Sequence, residues 1–300
     1  SASSSARYSF ALSSWPFSTT RRVVSSPPSS TRSVSASASG LRRTASCAVT
    51  RVSPSATSTT RARGDSTRPR ASALARARTV VWDVDGTLAN STELAFGSTN
   101  AVLRASGYDE IDRAEYLIGS KYTTPRRLAW HATKDPDDAR GEALGAAFDA
   151  AYVELVSRET TGFYEGVKRV VERLRASERR QAVLSNACGA YARAVVAANG
   201  VSEVMERVYG ADDVPAAKPA PDGLALIMRE MGVMDDPSTT AYVGDAPSDG
   251  AAAKAAGCVA VGVNWGSHNL SEAENARHFD VVFDTVEELE RGLFAVLSRA

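Results

Sequence analysis

The sequence predicts an α/β protein with a doubly wound parallel sheet, into which a helical segment is inserted. Over about the last three quarters of the chain, short apolar runs such as Thr79–Trp82 alternate with stretches of helical length and periodicity. Between about residues 91 and 161 strand patterns give way to helical patterns alone. Polar residues directly follow several predicted strands, and folds of this class bind ligands beyond the carboxyl ends of their strands.

The N-terminal segment differs in composition from the rest of the chain. Residues 1–78 contain 13 Arg and one acid, and 20 of the first 60 residues are Ser, so the net charge of zero divides into about +12 and −12. Without apolar periodicity, such a segment buries too little surface to offset its ordering entropy. Ser-rich, Arg-rich and acid-poor composition is typical of an organelle transit peptide. We expect residues 1–75 to be a disordered transit peptide for the chloroplast stroma, with a plain disordered linker as the alternative.

The first predicted strand, Thr79–Trp82, is the centre of the fold, because its β-branched and aromatic residues suit a buried strand. Asp83 and Asp85 follow it, and carboxylates this close raise each other's pKa unless a cation or a proton lies between them. Mg²⁺ takes oxygen ligands of this kind and usually also binds a substrate phosphate. Gly86 permits a sharp turn there. This stretch predicts a metal-assisted site, and a solvated turn is the alternative.

Residues 91–161 are predicted to form a separate helical domain, while 76–90 and 162–300 form the sheet domain. Apolar spacing and helix-stop residues predict helices over 93–106, 113–118, 125–133 and 136–158. A Gly- and Thr-rich stretch before the third of these helices contains several cations. Lys121 or Arg126 is expected to contact a carboxylate or second phosphate of a substrate, although a solvated helix start explains the charges equally well.

From residue 162 onward the alternation resumes. Strands are predicted over 181–184, 208–209, 240–243, 259–263 and 281–283. Helices are predicted over 163–177, 191–199, 221–231, 248–256 and 286–297. If these strands are parallel, their carboxyl ends lie along one edge of the sheet, where folds of this class bind ligands.

Four groups of polar residues are expected to meet at that edge. They are Asp83 with Asp85, Ser185 with Asn186, Lys218, and Asp245 with Asp249. Phosphoryl transfer requires mainly positioning and charge neutralisation, and this set offers a nucleophile, a proton donor, a cation and hydrogen-bond donors. Each group also has a structural explanation, such as a helix cap for the last pair or an ordinary turn for Ser185 and Asn186.

The order and spacing of these motifs resemble the haloacid dehalogenase-like hydrolase superfamily, whose members are mostly phosphatases. The matching motifs are DVDGTL at 83–88, Ser-Asn at the end of an apolar run about 100 residues later, KPAPD at 218–222 and GDAPSD at 244–249. The resemblance covers residues 79–300 and implies a Rossmann-like core with an inserted α-helical C1 cap that closes over the active site. Phosphoglycolate phosphatases are among the similar C1-capped proteins.

The resemblance implies a role for each motif residue. Asp83 is the implied nucleophile, which forms an aspartyl-phosphate, and Asp85 is the implied proton donor, which then activates water. The implied Mg²⁺ site comprises Asp83, Asp85 through its backbone carbonyl, Asp245, and Asp249 through water or outer contacts. The implied phosphate-binding residues are Thr87, Ser185, Asn186 through its backbone amide, and Lys218.

Asp85 also narrows the reaction class, because dehalogenases of this superfamily lack an acid at that position and need no Mg²⁺. We therefore expect hydrolysis of a small phosphorylated metabolite, with 2-phosphoglycolate as a candidate. A β-phosphoglucomutase-like phosphomutase and a non-catalytic binding protein on the same scaffold are the alternatives. Nucleic-acid and membrane partners are not expected, and the sequence leaves monomer or homodimer open. His131, His268 and His278 match no motif and are expected to be structural or surface residues.

Overall fold

The structure is a computed structural model that describes residues 73–295 of the 300-residue chain. The predicted transit peptide, apart from its last three residues, lies outside the described residues. Within residues 73–295, no helix combines the length and the apolar character that crossing a membrane requires.

A six-stranded parallel sheet forms the core and confirms the predicted fold class. Its strands are β1 (Thr79–Trp82), β2 (Arg180–Leu184), β3 (Met205–Tyr209), β4 (Thr240–Gly244), β5 (Val259–Val263) and β6 (Val281–Phe283). Their order across the sheet is β3-β2-β1-β4-β5-β6, and every neighbouring pair is parallel. The strand order therefore reverses beside β1, which is the position where doubly wound sheets bind their ligands.

The segment between β1 and β2 begins with four helices. They are α1 (Thr92–Ala105), α2 (Arg113–Gly119), α3 (Thr124–Thr133) and α4 (Arg140–Glu154). These helices, called the cap below, pack on one another through residues such as Leu103, Leu128 and Phe148, which are almost fully buried.

The remaining helices cover the sheet. They are α5 (Val167–Ala176), α6 (Gly189–Ala198), α7 (Asp222–Glu230), α8 (Pro247–Ala255), α9 (Ala273–Ala276) and α10 (Val286–Leu293), with 3₁₀ turns at Ser202–Val204 and Pro237–Thr239. Alternate residues of β1 point to opposite faces, so Val80 and Trp82 join one apolar cluster and Val81 joins another. Both faces of the sheet are therefore buried, which explains the uninterrupted apolar strands.

Two helices begin several residues later than predicted. The helix predicted from residue 136 begins at Arg140, because the Asp135 and Asp138 side chains accept the backbone N–H groups of Asp137 and Arg140 and form turns. The helix predicted from Phe163 begins only at Val167. Strand β3 is also longer than the two residues predicted, since its charged residues hide the strand pattern.

The two connections between the cap and the sheet domain lie side by side. Ala89 forms an antiparallel bridge with Phe163. The N–H of Asn90 donates to the Gly162 carbonyl at 3.0 Å, and the N–H of Tyr164 donates to the Leu88 carbonyl at 3.0 Å. These bonds use the backbone around Phe163, which explains why the following helix starts late.

Candidate active site

A cavity of about 120 Å³ lies between the cap and the carboxyl ends of the strands. Seven of the residues predicted from the motifs line it, namely Asp83, Asp85, Ser185, Asn186, Lys218, Asp245 and Asp249. Thr87 does not line the cavity, and its hydroxyl lies 3.5 Å from Asp83 Oδ2. The topology therefore unites groups that are up to about 165 residues apart in sequence.

A buried lysine holds two of the carboxylates together. Lys218 Nζ lies 2.6 Å from Asp83 Oδ1 and 2.8 Å from Asp249 Oδ1, and it donates to the Tyr242 hydroxyl at 2.8 Å. Burial alone lowers the pKa of Lys218, but the two carboxylates outweigh it and raise that pKa well above its usual value. Lys218 is therefore a permanent cation at the centre of the site.

Burial disfavours the charged form of Asp83, the candidate nucleophile. Burial raises the pKa of Asp83 well above its usual value; Lys218 opposes this shift, while neighbouring carboxylates add to it. One lysine does not neutralise the four acids near the cavity, so the charge balance of the site favours a further cation.

Three carboxylates are placed to hold that cation. Oxygen atoms of Asp83, Asp245 and Asp249 all lie within 4.8 Å of one another, and all three residues are buried. Hard divalent cations such as Mg²⁺ prefer oxygen ligands of this kind, so the donor set fits the implied Mg²⁺. Asp249 also caps α8, because its Oδ2 accepts the Ala246 N–H at 2.9 Å. The position of Asp249 is thus compatible both with binding a metal ion and with capping α8.

Two glycines make room for the Asp245 carboxylate. Gly86 has φ +80°, and a Cβ there would lie 2.3 Å from Asp245 Oδ2. A Cβ at Gly266 would lie 2.3 Å from the same oxygen. The Ser267 N–H donates to this oxygen at 2.7 Å. Backbone from the first motif and from the loop after β5 therefore closes tightly around Asp245.

Ser185 and Asn186 follow β2 and have different contacts. The Ser185 hydroxyl oxygen accepts the Ala187 N–H at 3.0 Å, which leaves its O–H proton available to a ligand. The Asn186 side chain bonds reciprocally to the backbone of Lys218, with its amide donating to the carbonyl at 3.1 Å and its oxygen accepting the N–H at 3.0 Å. Asn186 thus orients the loop that presents Lys218, a role that sequence reasoning missed.

Asp85 is held by hydroxyl groups rather than by the lysine. Its Oδ1 accepts hydrogen bonds from Ser91 Oγ and, at 2.7 Å, from the Tyr191 hydroxyl. The Tyr152 hydroxyl lies 3.3 Å from the same oxygen. These three partners were not predicted, because they follow no motif, and the two tyrosines reach Asp85 only through tertiary packing, which for Tyr152 is that of the cap on the sheet domain.

The cap contributes a cation other than the two predicted. Lys121 and Arg126 do not line the cavity; both are exposed, and Arg126 pairs with Asp137 at 2.9 Å. Arg127 lines the cavity instead. Successive helical residues point about 100° apart, and Arg127 lies three residues after buried Thr124 and four before buried His131. Arg127 therefore lies on the buried side of α3, whereas Arg126 lies on its exposed side.

Arg127 lies between two aromatic rings, and two of its nitrogen donors are unused. Its guanidinium carbon is 4.7 Å from the Phe148 ring centroid and 5.5 Å from that of Tyr116. Its Nε and Nη2 are buried and have no hydrogen-bond partner among residues 73–295. Burial raises the pKa of nearby Asp149 to about 6, and the Arg127 charge opposes that shift. A buried guanidinium with free donors is suited to an anion that enters with a ligand.

His268 is half-buried and His131 is buried, and their surroundings differ. His268 lines the cavity, and its Nδ1 lies 3.3 Å from Asp245 Oδ2, a position at the site that the sequence did not predict. Burial disfavours its charged form, but the hydrogen bond to Asp245 and the nearby carboxylates raise its pKa. His131, by contrast, stacks on Tyr116 within the cap, and burial lowers its pKa to about 4.

The fold and this cluster define the class of protein. Residues 80–263 match the haloacid dehalogenase-like hydrolase family, and the chain belongs to that family. It is an enzyme of the phosphatase type within the family.

Individual relatives agree with this assignment, and a solved structure has a similar fold. The chain is 29% identical over 220 residues to a phosphoglycolate phosphatase of Pectobacterium atrosepticum, covering 72% of this chain and 92% of that protein. It is 30% identical over 232 residues to a phosphoglycolate phosphatase of Shigella boydii, covering 71% and 90%. Its fold is similar to the crystal structure of CbbY from Rhodobacter sphaeroides in complex with phosphate, with a TM-score of 0.61, 23% identity, and coverage of 72% and 99%.

Proposed function

We propose that the protein is a Mg²⁺-dependent phosphatase that hydrolyses a small phosphate monoester through an aspartyl-phosphate intermediate. The observation that carries this proposal is the buried cluster in which Asp83, Asp245 and Asp249 surround one space and Lys218 contacts two of them. Phosphoryl transfer relies on such positioning and charge neutralisation. When bound, Mg²⁺ supplies further positive charge to the phosphoryl oxygens.

The first step transfers the phosphoryl group to the protein. A carboxylate oxygen of Asp83 bonds to phosphorus while the bond from phosphorus to the ester oxygen breaks. Asp85 gives its proton to that ester oxygen, so the product leaves as an alcohol. The Ser185 hydroxyl and the Lys218 ammonium are suited to bind the phosphoryl oxygens during this transfer.

The second step returns Asp83 to its starting state. Asp85, now a carboxylate, accepts a proton from water as the water oxygen bonds to phosphorus. The bond from phosphorus to the Asp83 oxygen breaks and releases inorganic phosphate. The proton taken from water leaves Asp85 in its protonated form, ready for the next ester.

A cation of the cap, Arg127, favours a substrate that carries a second anionic group. Arg127 lines the cavity with donors that have no partner in residues 73–295. A cavity of about 120 Å³ is small, since sites for drug-sized ligands span several hundred Å³. The names of the relatives support 2-phosphoglycolate, whose carboxylate is such an anion.

Replacing Arg127 is expected to lower kcat/KM for 2-phosphoglycolate selectively. Hydrogen bonds to charged groups contribute about 1.5–3 kcal/mol, which corresponds to a loss of roughly 10- to 150-fold in Arg127→Met. Ethyl phosphate has the same skeleton without the carboxylate, so its kcat/KM is expected to change less than about threefold. The exposed neighbour provides the control, because Arg126→Met removes the same charge outside the cavity. Equal losses on both esters would refute the role of Arg127.

A panel of small phosphate esters tests the proposed function itself. Residues 73–300 or the full chain would be assayed with Mg²⁺ and with a chelator, on esters that include 2-phosphoglycolate. We expect hydrolysis that the chelator abolishes and a clear preference for an ester carrying a second anion. Broad and equal activity would retain the phosphatase and reject 2-phosphoglycolate as its substrate. No hydrolysis of any ester would reject the proposal and favour a phosphomutase or a non-catalytic protein.

We also propose import into the chloroplast stroma. The proposal rests on the composition of residues 1–75, which are rich in Ser and Arg and poor in acids. A fluorescent protein fused after residue 78 is expected to enter isolated chloroplasts and to be shortened there. A fusion that stays outside and keeps its full length would refute this localisation.

A further inference from the structure

Asp85 is the end of a chain of buried hydroxyl groups. The Tyr152 hydroxyl lies 3.0 Å from that of Tyr191, which in turn donates to Asp85 Oδ1 at 2.7 Å. The two rings stack with centroids 4.1 Å apart and planes inclined by 17°. Tyr152 is 2% exposed and Tyr191 is fully buried, so neither hydroxyl has bulk water as a partner.

The number of protons in this chain fixes the direction of its hydrogen bonds. A tyrosine hydroxyl has one proton to donate. Tyr191 uses its proton on Asp85 Oδ1, and Tyr152 is closer to the Tyr191 oxygen than to Asp85, at 3.0 Å against 3.3 Å. Tyr152 therefore donates to Tyr191, and Tyr191 donates to Asp85.

The number of hydrogen bonds that Asp85 accepts identifies which of its oxygens carries the proton for the leaving group. Oδ1 accepts from both Ser91 and Tyr191, and these bonds use its two lone pairs. A proton on Oδ1 would displace one of the donors. The proton that reaches the leaving group must therefore sit on Oδ2, and the hydroxyl groups hold the carboxyl in that orientation.

We propose that Tyr191 and Tyr152 are positioning residues that hold Asp85 with Oδ2 as its proton-donating atom. Tyr191 belongs to α6 beside the sheet, whereas Tyr152 belongs to α4 of the cap. The cap thus completes the orientation of the general acid as well as covering the substrate. This inference rests on the proposed function, in which Asp85 protonates the ester oxygen.

Leaving groups of different acidity test the proposal. An alkoxide such as that from 2-phosphoglycolate needs a proton to leave, whereas the 4-nitrophenolate of 4-nitrophenyl phosphate leaves without one. The value of kcat/KM reports the steps through departure of the first product, so the later hydrolysis of the aspartyl-phosphate does not affect it. General acid catalysis contributes about 10²–10⁴-fold, and loss of orientation forfeits part of it.

Tyr191→Phe is expected to lower kcat/KM for 2-phosphoglycolate by about 10- to 100-fold, which is part of the roughly 10²–10⁴-fold that general acid catalysis contributes. Its kcat/KM for 4-nitrophenyl phosphate is expected to fall by less than about threefold, because that leaving group needs little protonation. Tyr152→Phe is expected to give the same pattern with a smaller loss, since its hydroxyl acts through Tyr191. Tyr209→Phe is the control, because it removes a hydroxyl that bonds to Glu230 away from the cavity.

Similar losses on the two esters in both variants would mean that the tyrosines only support the fold, and would overturn the proposal. Unchanged kcat/KM for both esters in both variants would also overturn the proposal. Thermal unfolding of each variant separates a folding defect from a kinetic one. If the wild-type protein hydrolyses no ester of the panel described above, the proposed function fails first and this inference fails with it.

Discussion

Asp83→Asn is expected to reduce turnover by at least about 10³-fold, or roughly 4 kcal/mol in activation free energy. The amide has the shape of the carboxylate, but its oxygen is a poor nucleophile and forms no stable phosphoryl intermediate. The variant is expected to remain folded. Burial raises the pKa of Asp83, which means that its charge is unfavourable in the folded protein, and the substitution removes that charge.

Initial rates with Mg²⁺ and thermal unfolding in chelator measure these two effects. The expected unfolding temperature is equal to or above that of the wild type, although the bond from Lys218 to a carboxylate is lost. Asp222→Asn is a suitable control, because Asp222 lies in the first turn of α7 and does not line the cavity. An Asp83→Asn protein that keeps more than a tenth of the wild-type rate would exclude Asp83 as the nucleophile.

Lys218→Met is expected to have the largest effect on stability. Lys218 is 3% exposed at its side chain and lies within 2.8 Å of carboxylate oxygens of Asp83 and Asp249. Removing one partner of a buried ion pair typically costs about 3–5 kcal/mol, because the remaining charges are left uncompensated. Turnover is expected to fall as well, since the phosphoryl oxygens lose a cation.

The effect on stability should depend on Mg²⁺. A cation bound by the carboxylates would replace part of the missing charge, so the free energy of unfolding should fall less with Mg²⁺ than in chelator. Lys254→Met provides the control, because Lys254 is 39% exposed and lies 4.0 Å from Asp280, an ion pair of the kind worth at most about 1 kcal/mol. Equal losses for Lys218→Met in the two conditions would mean that a bound cation does not compensate for the missing lysine, and would refute the coupling between Lys218 and the metal.

The sequence predicts the sheet and its site well, because the features involved are local. The apolar run before Asp83 and those before Ser185 and Asp245 identify three strands. The parallel topology then requires their carboxyl ends to meet. Elements whose ends depend on side-chain contacts were less predictable. The helix of residues 136–158 is an example, since acidic turns shorten it at its start.

The cap residues at the site depend on packing, and sequence motifs do not encode it. Arg126 and Arg127 are identical in chemistry, and only the orientation of α3 against Phe148 makes the second one face the cavity. Tyr152 and Tyr191 come from different layers of the molecule, 39 residues apart, so their shared contact with Asp85 has no local pattern. His268 lies in a loop whose path is fixed by Asp245, through a backbone bond at Ser267.

The paired connections at Ala89 and Phe163 have a consequence for how such a protein can evolve. The chain leaves and re-enters the sheet domain at two points joined by backbone hydrogen bonds, such as that from Asn90 to Gly162. A segment with neighbouring ends can be lengthened, shortened or exchanged without moving the strands on either side. Selection for a new metabolite can therefore act on the inserted helices while the strands that present Asp83 and Asp245 keep their positions.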